Sequence, residues 1–194
     1  MMRKTLLAVL VSGVMVTGVQ AAGNQVNGYL FGNVGQADYD FGSEYSGFIG
    51  SVDEEDTAFK IGAGVQLNPY VGIEFQYVDL GEATYKEPGY KEIAKVDGFG
   101  ANLVATLPLD RFKLYGKLGY HKLEFDARGK LDGFGTVWSE SKDDWVTSYA
   151  VGATFALNPQ FEIVAEYERY DDVADKFDIN VDIDLASIGL RYNF

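Results

Sequence analysis

Histidine is the side chain whose ordinary pKa best suits acid–base catalysis near neutral pH. His121 is the single histidine. A histidine that accepts a serine proton, while a carboxylate orients its ring, is the usual arrangement for nucleophilic catalysis. The serines and acids near it in sequence are Ser139, Ser141, Ser148, Glu124 and Glu140. No spacing among them is diagnostic of a catalytic site, so we predict none, and an ordinary strand-end histidine is the favoured interpretation.

Acidic residues cluster at 53–56, 143–144 and 171–172, where carboxylates could bind divalent cations. These clusters lack the alternating ligand spacing of a dedicated calcium loop, and solvated loops are the favoured interpretation. The chain has no cysteine, which excludes disulfides, thiolate metal sites and lipid attachment through cysteine. No metal or other cofactor is predicted.

The first residues predict export. Arg3 and Lys4 precede an apolar run at residues 6–16 that is too short to span a bilayer comfortably, and small residues follow it. We predict a signal peptide over residues 1–21, cleaved after Ala21 or Ala22, and one domain over residues 22–194. The net charge of −13 disfavours nucleic acid as a partner, and no later apolar run is long enough for a membrane helix.

Alternation of apolar and polar residues predicts eight strands over the rest of the chain. They cover residues 29–36, 59–67, 71–77, 98–107, 112–121, 148–157, 161–168 and 186–194. Tight turns near Asn68-Pro69, residues 108–111 and residues 158–160 alternate with long loops at residues 37–56, 79–95, 126–145 and 171–180. This strict alternation is typical of outer-membrane barrels, which have short turns on the periplasmic side and longer loops outside.

Two features favour a lipid-facing apolar face over a soluble barrel with an apolar interior. The polar face is rich in glycine, as a narrow lumen requires, for example at Gly62, Gly64 and Gly152. Aromatic residues lie at both ends of the apolar face and aliphatic residues lie between them, as a bilayer favours. The sequence therefore predicts an all-β fold: an eight-stranded antiparallel up-and-down transmembrane β-barrel.

Four charged residues on the polar face should meet inside this barrel. Glu74 and Glu166 are acids, while Lys117 and Arg191 are bases at similar depth. Barrel closure brings the first and last strands together, and an unpaired buried charge costs several kcal/mol. We predict that these four residues form a salt-bridge cluster that fills the lumen. A watery channel in which they are merely solvated is the alternative.

Several strands resemble those of the OmpA-like and OmpX-like eight-stranded outer-membrane barrels. The matching segments are Gly-Ile-Glu-Phe-Gln-Tyr at 72–77, Leu-Tyr-Gly-Lys-Leu-Gly-Tyr at 114–120, Ile-Val-Ala-Glu-Tyr-Glu-Arg-Tyr at 163–170 and the terminal strand. The resemblance implies an interior acid–base cluster on the strands of Glu74, Lys117, Glu166 and Arg191. It also implies that Tyr192 and Phe194 are recognised by the outer-membrane assembly machinery.

The chain departs from this family in two respects. It stops at Phe194, so we expect no peptidoglycan-binding domain. In the last strand Val181, Ile183 and Leu185 have inward parity, which we interpret as a part that projects beyond the bilayer, with a bulge.

The predicted function is that of a structural, non-enzymatic outer-membrane barrel whose exposed loops contribute to envelope integrity or adhesion. A small-solute pore and an enzyme that modifies lipid A, with His121 as its base, are the alternatives. Expected partners are outer-membrane lipid, lipopolysaccharide and the assembly machinery, with no nucleic acid, and the chain is expected to be a monomer.

Overall fold

The computed structural model describes residues 26–40, 51–53, 55–87, 90–131, 135–171, 173 and 182–194. The predicted signal peptide lies outside these residues. The strands are β1 (Asn27–Asp40), β2 (Ser51–Asp53), β3 (Glu55–Asn68), β4 (Val71–Glu87), β5 (Tyr90–Leu109), β6 (Phe112–Leu131), β7 (Gly135–Ala156), β8 (Phe161–Asp171) and β9 (Asp182–Asn193). No helix among the described residues could span a membrane.

Eight of these strands close into a ring in which every neighbouring pair is antiparallel. The order β4-β3-β1-β9-β8-β7-β6-β5 returns on itself through the pairing of β4 with β5. The first and last strands pair from Tyr29 opposite Asn193 to Asp40 opposite Asp182. The short β2 lies outside the ring and pairs with β4. The predicted eight-stranded up-and-down barrel is therefore confirmed.

Side chains alternate between the two faces of the wall as a pleated strand requires. Leu118 points outward and is 60% exposed, whereas its neighbour Lys117 points into the lumen and is 6% exposed. Ile188 and Leu190 also point outward, and Arg191 points inward. The apolar face is therefore the outer one, as the sequence predicts.

Two of the three tight turns at one end of the barrel are held by asparagine side chains. Asn68 Oδ1 accepts hydrogen bonds from the backbone N–H groups of Tyr70 at 2.8 Å and Val71 at 3.0 Å. Asn158 Oδ1 accepts from Gln160 and Phe161, both at 2.9 Å. Asparagine is favoured in turns because its side-chain carbonyl can accept a hydrogen bond from the backbone N–H two residues later.

At the opposite end, much of what the sequence indicates as loop is strand. β4 and β5 pair as far as Glu87 and Tyr90, and β6 and β7 pair as far as Leu131 and Gly135. The predicted loops at 79–95 and 126–145 are thus wrong for most of their length. We call β4 residues 79–87, β5 residues 90–97, β6 residues 122–131 and β7 residues 135–146 the extended wall.

The interior of the ring has two parts. Near the tight turns it is polar, and near the extended wall it holds an apolar cluster that we call the upper core. Its members are Ala37, Tyr39, Ala58, Val78, Leu80, Val96, Leu123, Val146, Tyr170, Val173, Ile183 and Leu185. Ile183 and Leu185 have the predicted inward parity, but the expected bulge is wrong, because the register of β9 with β1 and β8 is unbroken.

Candidate functional site

The four charged residues of the predicted lumen cluster lie in contact inside the barrel. Lys117 Nζ lies 2.5 Å from Glu74 and 2.7 Å from Glu166. Arg191 Nη2 donates to Glu74 over 3.1 Å. All four side chains are buried. Strands β4, β6, β8 and β9 thus each contribute one member of a two-acid, two-base group.

Two tyrosines from the lumen wall donate to the same carboxylates. Tyr29 Oη donates to Glu74 at 2.8 Å, and Tyr115 Oη donates to Glu166 at 2.6 Å. Each ring lies against a glycine, Tyr29 over Gly64 and Tyr115 over Gly152, where a Cβ atom would overlap the ring. The glycines of the polar face therefore make room for the aromatic donors.

Cations also contact aromatic faces in this layer. The Arg191 guanidinium lies 4.2 Å from the centroid of the Tyr29 ring. Lys117 Nζ lies 5.2 Å from the ring centroids of both Phe31 and Tyr115. Desolvated cation–π contacts add to the ion pairs, so each lumen cation is held by both acids and rings.

The lumen network is larger than the sequence-based prediction. Lys60, on β3, contacts Glu166 and lies 2.7 Å from Glu168. At the end near the tight turns Lys113 lies 2.5 Å from Glu162. Lys60, Glu162 and Glu168 could have been found from their inward parity, which is the same signal that identified Glu166.

Charges in the lumen network below the upper core are balanced, leaving His121 aside. Four carboxylates face four cations in a space too narrow for bulk water. The acids are Glu74, Glu162, Glu166 and Glu168, and the cations are Lys60, Lys113, Lys117 and Arg191. Such pairing offsets the desolvation cost that each charge would carry alone.

His121 lies in a sealed polar layer directly below the upper core. Its Nδ1 lies 3.1 Å from Ser148 Oγ, and its Nε2 lies 3.2 Å from Gln76 Nε2. Ser148 Oγ also donates to Glu168 at 3.1 Å. The ring meets Tyr170 edge-on at 5.3 Å. His121 and Ser148 are fully buried, so a lipid substrate has no access to this pair.

The other residues considered for catalysis lie away from this layer. In the register of β6 and β7, Ser139 lies opposite Arg128 and Ser141 lies opposite Asp126, both in the extended wall. Glu124 accepts a hydrogen bond from Ser141 at 3.0 Å, and Glu140 lies 3.1 Å from Lys142. Among the described residues, therefore, only Ser148 of these candidates contacts the histidine.

Acidic residues near the ends of the strands have local partners. Asp143 lies 2.7 Å from Lys122, and Asp56 accepts from the Glu82 backbone at 2.7 Å. Within the described ranges, no group of histidine and acidic side chains is arranged to hold a metal ion. The cluster at 53–56 and the pair at 171–172 lie partly outside those ranges.

Outside the lipid-facing belt, two ion pairs shift side-chain pKa values. Asp79 accepts a hydrogen bond from Lys95 at 2.9 Å, which raises the pKa of Lys95 above its usual value. Arg169 donates to both oxygens of Asp184, and this lowers the pKa of that carboxyl group. Each shift favours the charged form of its group, protonated Lys95 and ionised Asp184.

The terminal aromatic residues lie on the outer face at the end of the tight turns. The Tyr192 ring lies 5.1 Å from Phe161 and 5.4 Å from Phe194. The Phe194 backbone N–H donates to Gly28 at 3.0 Å, which ties the end of the chain to β1. Recognition of Tyr192 and Phe194 by the assembly machinery stays a prediction.

Known structures share this architecture. Ail, the attachment invasion locus protein of Yersinia pestis, matches with a TM-score of 0.60 and 20% identity over 87% of this chain and 99% of that one. Neisserial surface protein A matches with a TM-score of 0.61 and 17% identity over 86% of this chain and 97% of that one. At these identities the likeness shows the fold alone.

Sequence relatives are closer. Outer membrane protein A of Shigella dysenteriae is 30% identical over all of this chain and 56% of its own length. Outer membrane protein P5 of Haemophilus influenzae is 30% identical over 86% of this chain and 51% of its own length. The chain thus spans about half the length of these curated relatives. The family model described as outer membrane protein beta-barrel domain matches residues 6–194. The chain therefore belongs to this family of β-barrels of the Gram-negative outer membrane.

Proposed function

We propose that this protein is a closed structural barrel that supports the outer membrane and presents its extended wall outside the cell. The observation that carries this proposal is the filled interior. A charge-balanced polar network occupies the lumen near the tight turns, and the upper core occupies it near the extended wall. An ion would have to leave water to cross the upper core, because those side chains are almost completely buried.

The same interior argues against the two alternatives. A small-solute pore needs a continuous water-lined path, and the upper core interrupts it. A lipid A-modifying enzyme needs a nucleophile and base that reach the leaflet, whereas His121 and Ser148 are enclosed. We therefore propose a non-enzymatic role.

Purified barrel reconstituted in planar bilayers should give no steady conductance, because the upper core excludes hydrated ions. Single-channel recording measures this directly, with protein-free detergent as the control. In parallel, a strain without the gene should take up a hydrophobic dye faster than the complemented strain. A stable channel comparable to that of large porins would disprove the closed interior.

Adhesion is a second candidate function, favoured by apolar side chains far from the lipid belt. Leu131, Val137 and Trp138 are 42%, 48% and 38% exposed near the distal end of the β6–β7 hairpin. A contiguous exposed apolar patch outside the membrane marks a candidate site of protein contact. Ail, which has the same fold, carries attachment in its name, and we propose the same kind of role for this chain.

Cells that express a Leu131→Ser/Val137→Ser variant should adhere to cultured host cells about half as well as cells with the unchanged protein, because apolar contact area is lost. Counting attached bacteria measures the effect. Ser141→Ala, an exposed change on β7, the strand of Val137, is the control. Equal adhesion of variant and parent would remove this candidate.

A further inference from the structure

His121 is held in one protonation state by the donors and acceptors around its ring. Ser148 Oγ has one hydrogen, which it donates to Glu168 at 3.1 Å, so Ser148 Oγ must accept from His121 Nδ1, also at 3.1 Å. His121 Nε2 faces Gln76 Nε2 at 3.2 Å, and an amide nitrogen only donates. The ring therefore carries its proton on Nδ1, accepts a hydrogen bond on Nε2 and is neutral.

The orientation of the Gln76 amide follows from its other neighbours. Gln76 Nε2 also lies 3.2 Å from Glu168 Oε1, 3.3 Å from Glu168 Oε2 and 3.2 Å from Tyr170 Oη. Turning the amide over would place Gln76 Oε1 against the Glu168 carboxylate, and both groups are acceptors. Gln76 Oε1 is buried and has no hydrogen-bond partner among the described residues. The Glu168 carboxylate thus orients the amide, and the amide in turn orients the ring.

The charged groups around the ring disfavour a second proton. The acid that acts on it is Glu168 on β8, and the cations are Lys60 on β3 and Lys117 on β6. Glu168 is already engaged by Lys60 at 2.7 Å. Other neighbours are uncharged: Gln76 on β4, Gly100 and Asn102 on β5, Val146 and Ser148 on β7, and Tyr170 on β8. A charged imidazole would therefore give this enclosed layer an excess of positive charge.

A proton added to His121 Nε2 would find no acceptor in this arrangement. It would point at the Gln76 NH2 group, and Gln76 Oε1 could accept it only after the amide turned over. That turn would withdraw the amide hydrogens from Glu168 and Tyr170. Tyr170 belongs to the upper core, and Val146 of the same cluster lies opposite His121 in the register of β6 and β7. Protonation of His121 would thus be transmitted to the base of the upper core.

We propose that His121 and Gln76 form an acid-sensitive latch beneath the upper core. While the ring is neutral, the Gln76 amide holds Tyr170 in place. When Nε2 takes up a proton from solvent, the amide turns over and releases Tyr170. In the unfolded chain the same nitrogen takes up its proton at the ordinary histidine pKa of about 6.5. The stability that the neutral ring contributes is therefore complete above that pH and is lost progressively as the pH falls below it.

The single histidine makes a direct test possible, because ¹⁵N-labelled histidine gives NMR signals from one ring only. The chain is refolded without a histidine tag in phospholipid nanodiscs. At about pH 7.5 the proton should be on Nδ1 and absent from Nε2. On acidification, the second proton should appear together with shifts of the Tyr170 and Val146 backbone amides. A ring protonated on Nε2 at about pH 7.5, or amides that do not follow the ring, would overturn the proposal.

Urea titration in lipid vesicles provides a second arm. Between about pH 7.5 and pH 5.5, the unfolding equilibrium constant of the unchanged barrel should rise about tenfold more than that of His121→Gln, because only the histidine takes up a proton on unfolding. Tyr170→Phe, a change in the same layer that retains the histidine, should keep the pH dependence of the unchanged barrel. Equal pH dependence of His121→Gln and the unchanged barrel, or its loss in Tyr170→Phe, would contradict the latch. The labelling arm needs no substitution, so it decides the matter even where a variant fails to refold.

Discussion

Replacing Glu166 with alanine is expected to lower the free energy of unfolding of the barrel by about 3–5 kcal/mol, because it leaves Lys60 and Lys117 with one acid each and one buried positive charge unbalanced. Glu166 contacts both Lys60 and Lys117 and accepts from Tyr115. Urea titration of the barrel in lipid vesicles measures the change. Trp145, stacked on Tyr120 with ring centroids 4.9 Å apart, is a fluorescent reporter near the end of the lipid belt.

The matched control for this variant is Glu140→Ala, which removes an acid from the exposed part of β7. Its pair with Lys142 is solvent-exposed, so its loss should cost less than about 1 kcal/mol. The loss of unfolding free energy for Glu166→Gln should lie between those of the two alanine variants, because the amide keeps the shape and a hydrogen-bond acceptor but loses the charge. A loss below about 1 kcal/mol for Glu166→Ala would mean that the lumen ions are solvated.

Leu185→Ala should lower the free energy of unfolding by about 2–5 kcal/mol, because it opens a cavity in the upper core. Leu185 is fully buried there, beside Tyr39 and Ile183 in the same cluster. The same urea titration measures the loss. A small apolar probe that binds in the new cavity should raise the unfolding temperature of the variant. This shift provides a second measurement.

Leu190→Ala tests the same substitution on the same strand but on the lipid-facing side. Leu190 is 54% exposed on the outer face, where acyl chains can fill the space that the side chain leaves. The cavity contribution is then absent, and the loss should be clearly smaller than for Leu185→Ala. Equal losses at the two positions would show that residue 185 is not packed as the structure places it.

The barrel was predictable from sequence because apolar and polar residues alternate with a period of two. That pattern shows directly which side chains face the lipid and which face the lumen. Leu118 and Lys117 fall on opposite parities, and the structure places them on opposite faces. The contacts inside were less predictable. The alternation pattern places the side chains of Lys60 and Glu168 inside the barrel. Which inward side chains meet depends on how far neighbouring strands are shifted along one another, and the alternation pattern does not specify that shift.

The extended wall was missed for a related reason. Alternation identifies a strand only where one face is apolar, and both faces of the distal wall carry polar residues. Around Lys95, Asp126 and Ser141, charged and small residues therefore resembled a loop. Ile183 and Leu185 are apolar residues at inward positions, and this departure from a polar inward face suggested a bulge. The structure explains it differently, because the lumen changes from polar to apolar at their height.

The upper core also bears on the order of events during insertion. All eight strands of the ring contribute side chains to it, from Tyr39 on β1 to Leu185 on β9. It therefore cannot assemble in a half-inserted sheet, and its stabilising contribution arrives only when the first and last strands meet. We therefore expect the closing step to be cooperative, because reopening that seam separates Ala37 and Tyr39 of β1 from Ile183 and Leu185 of β9.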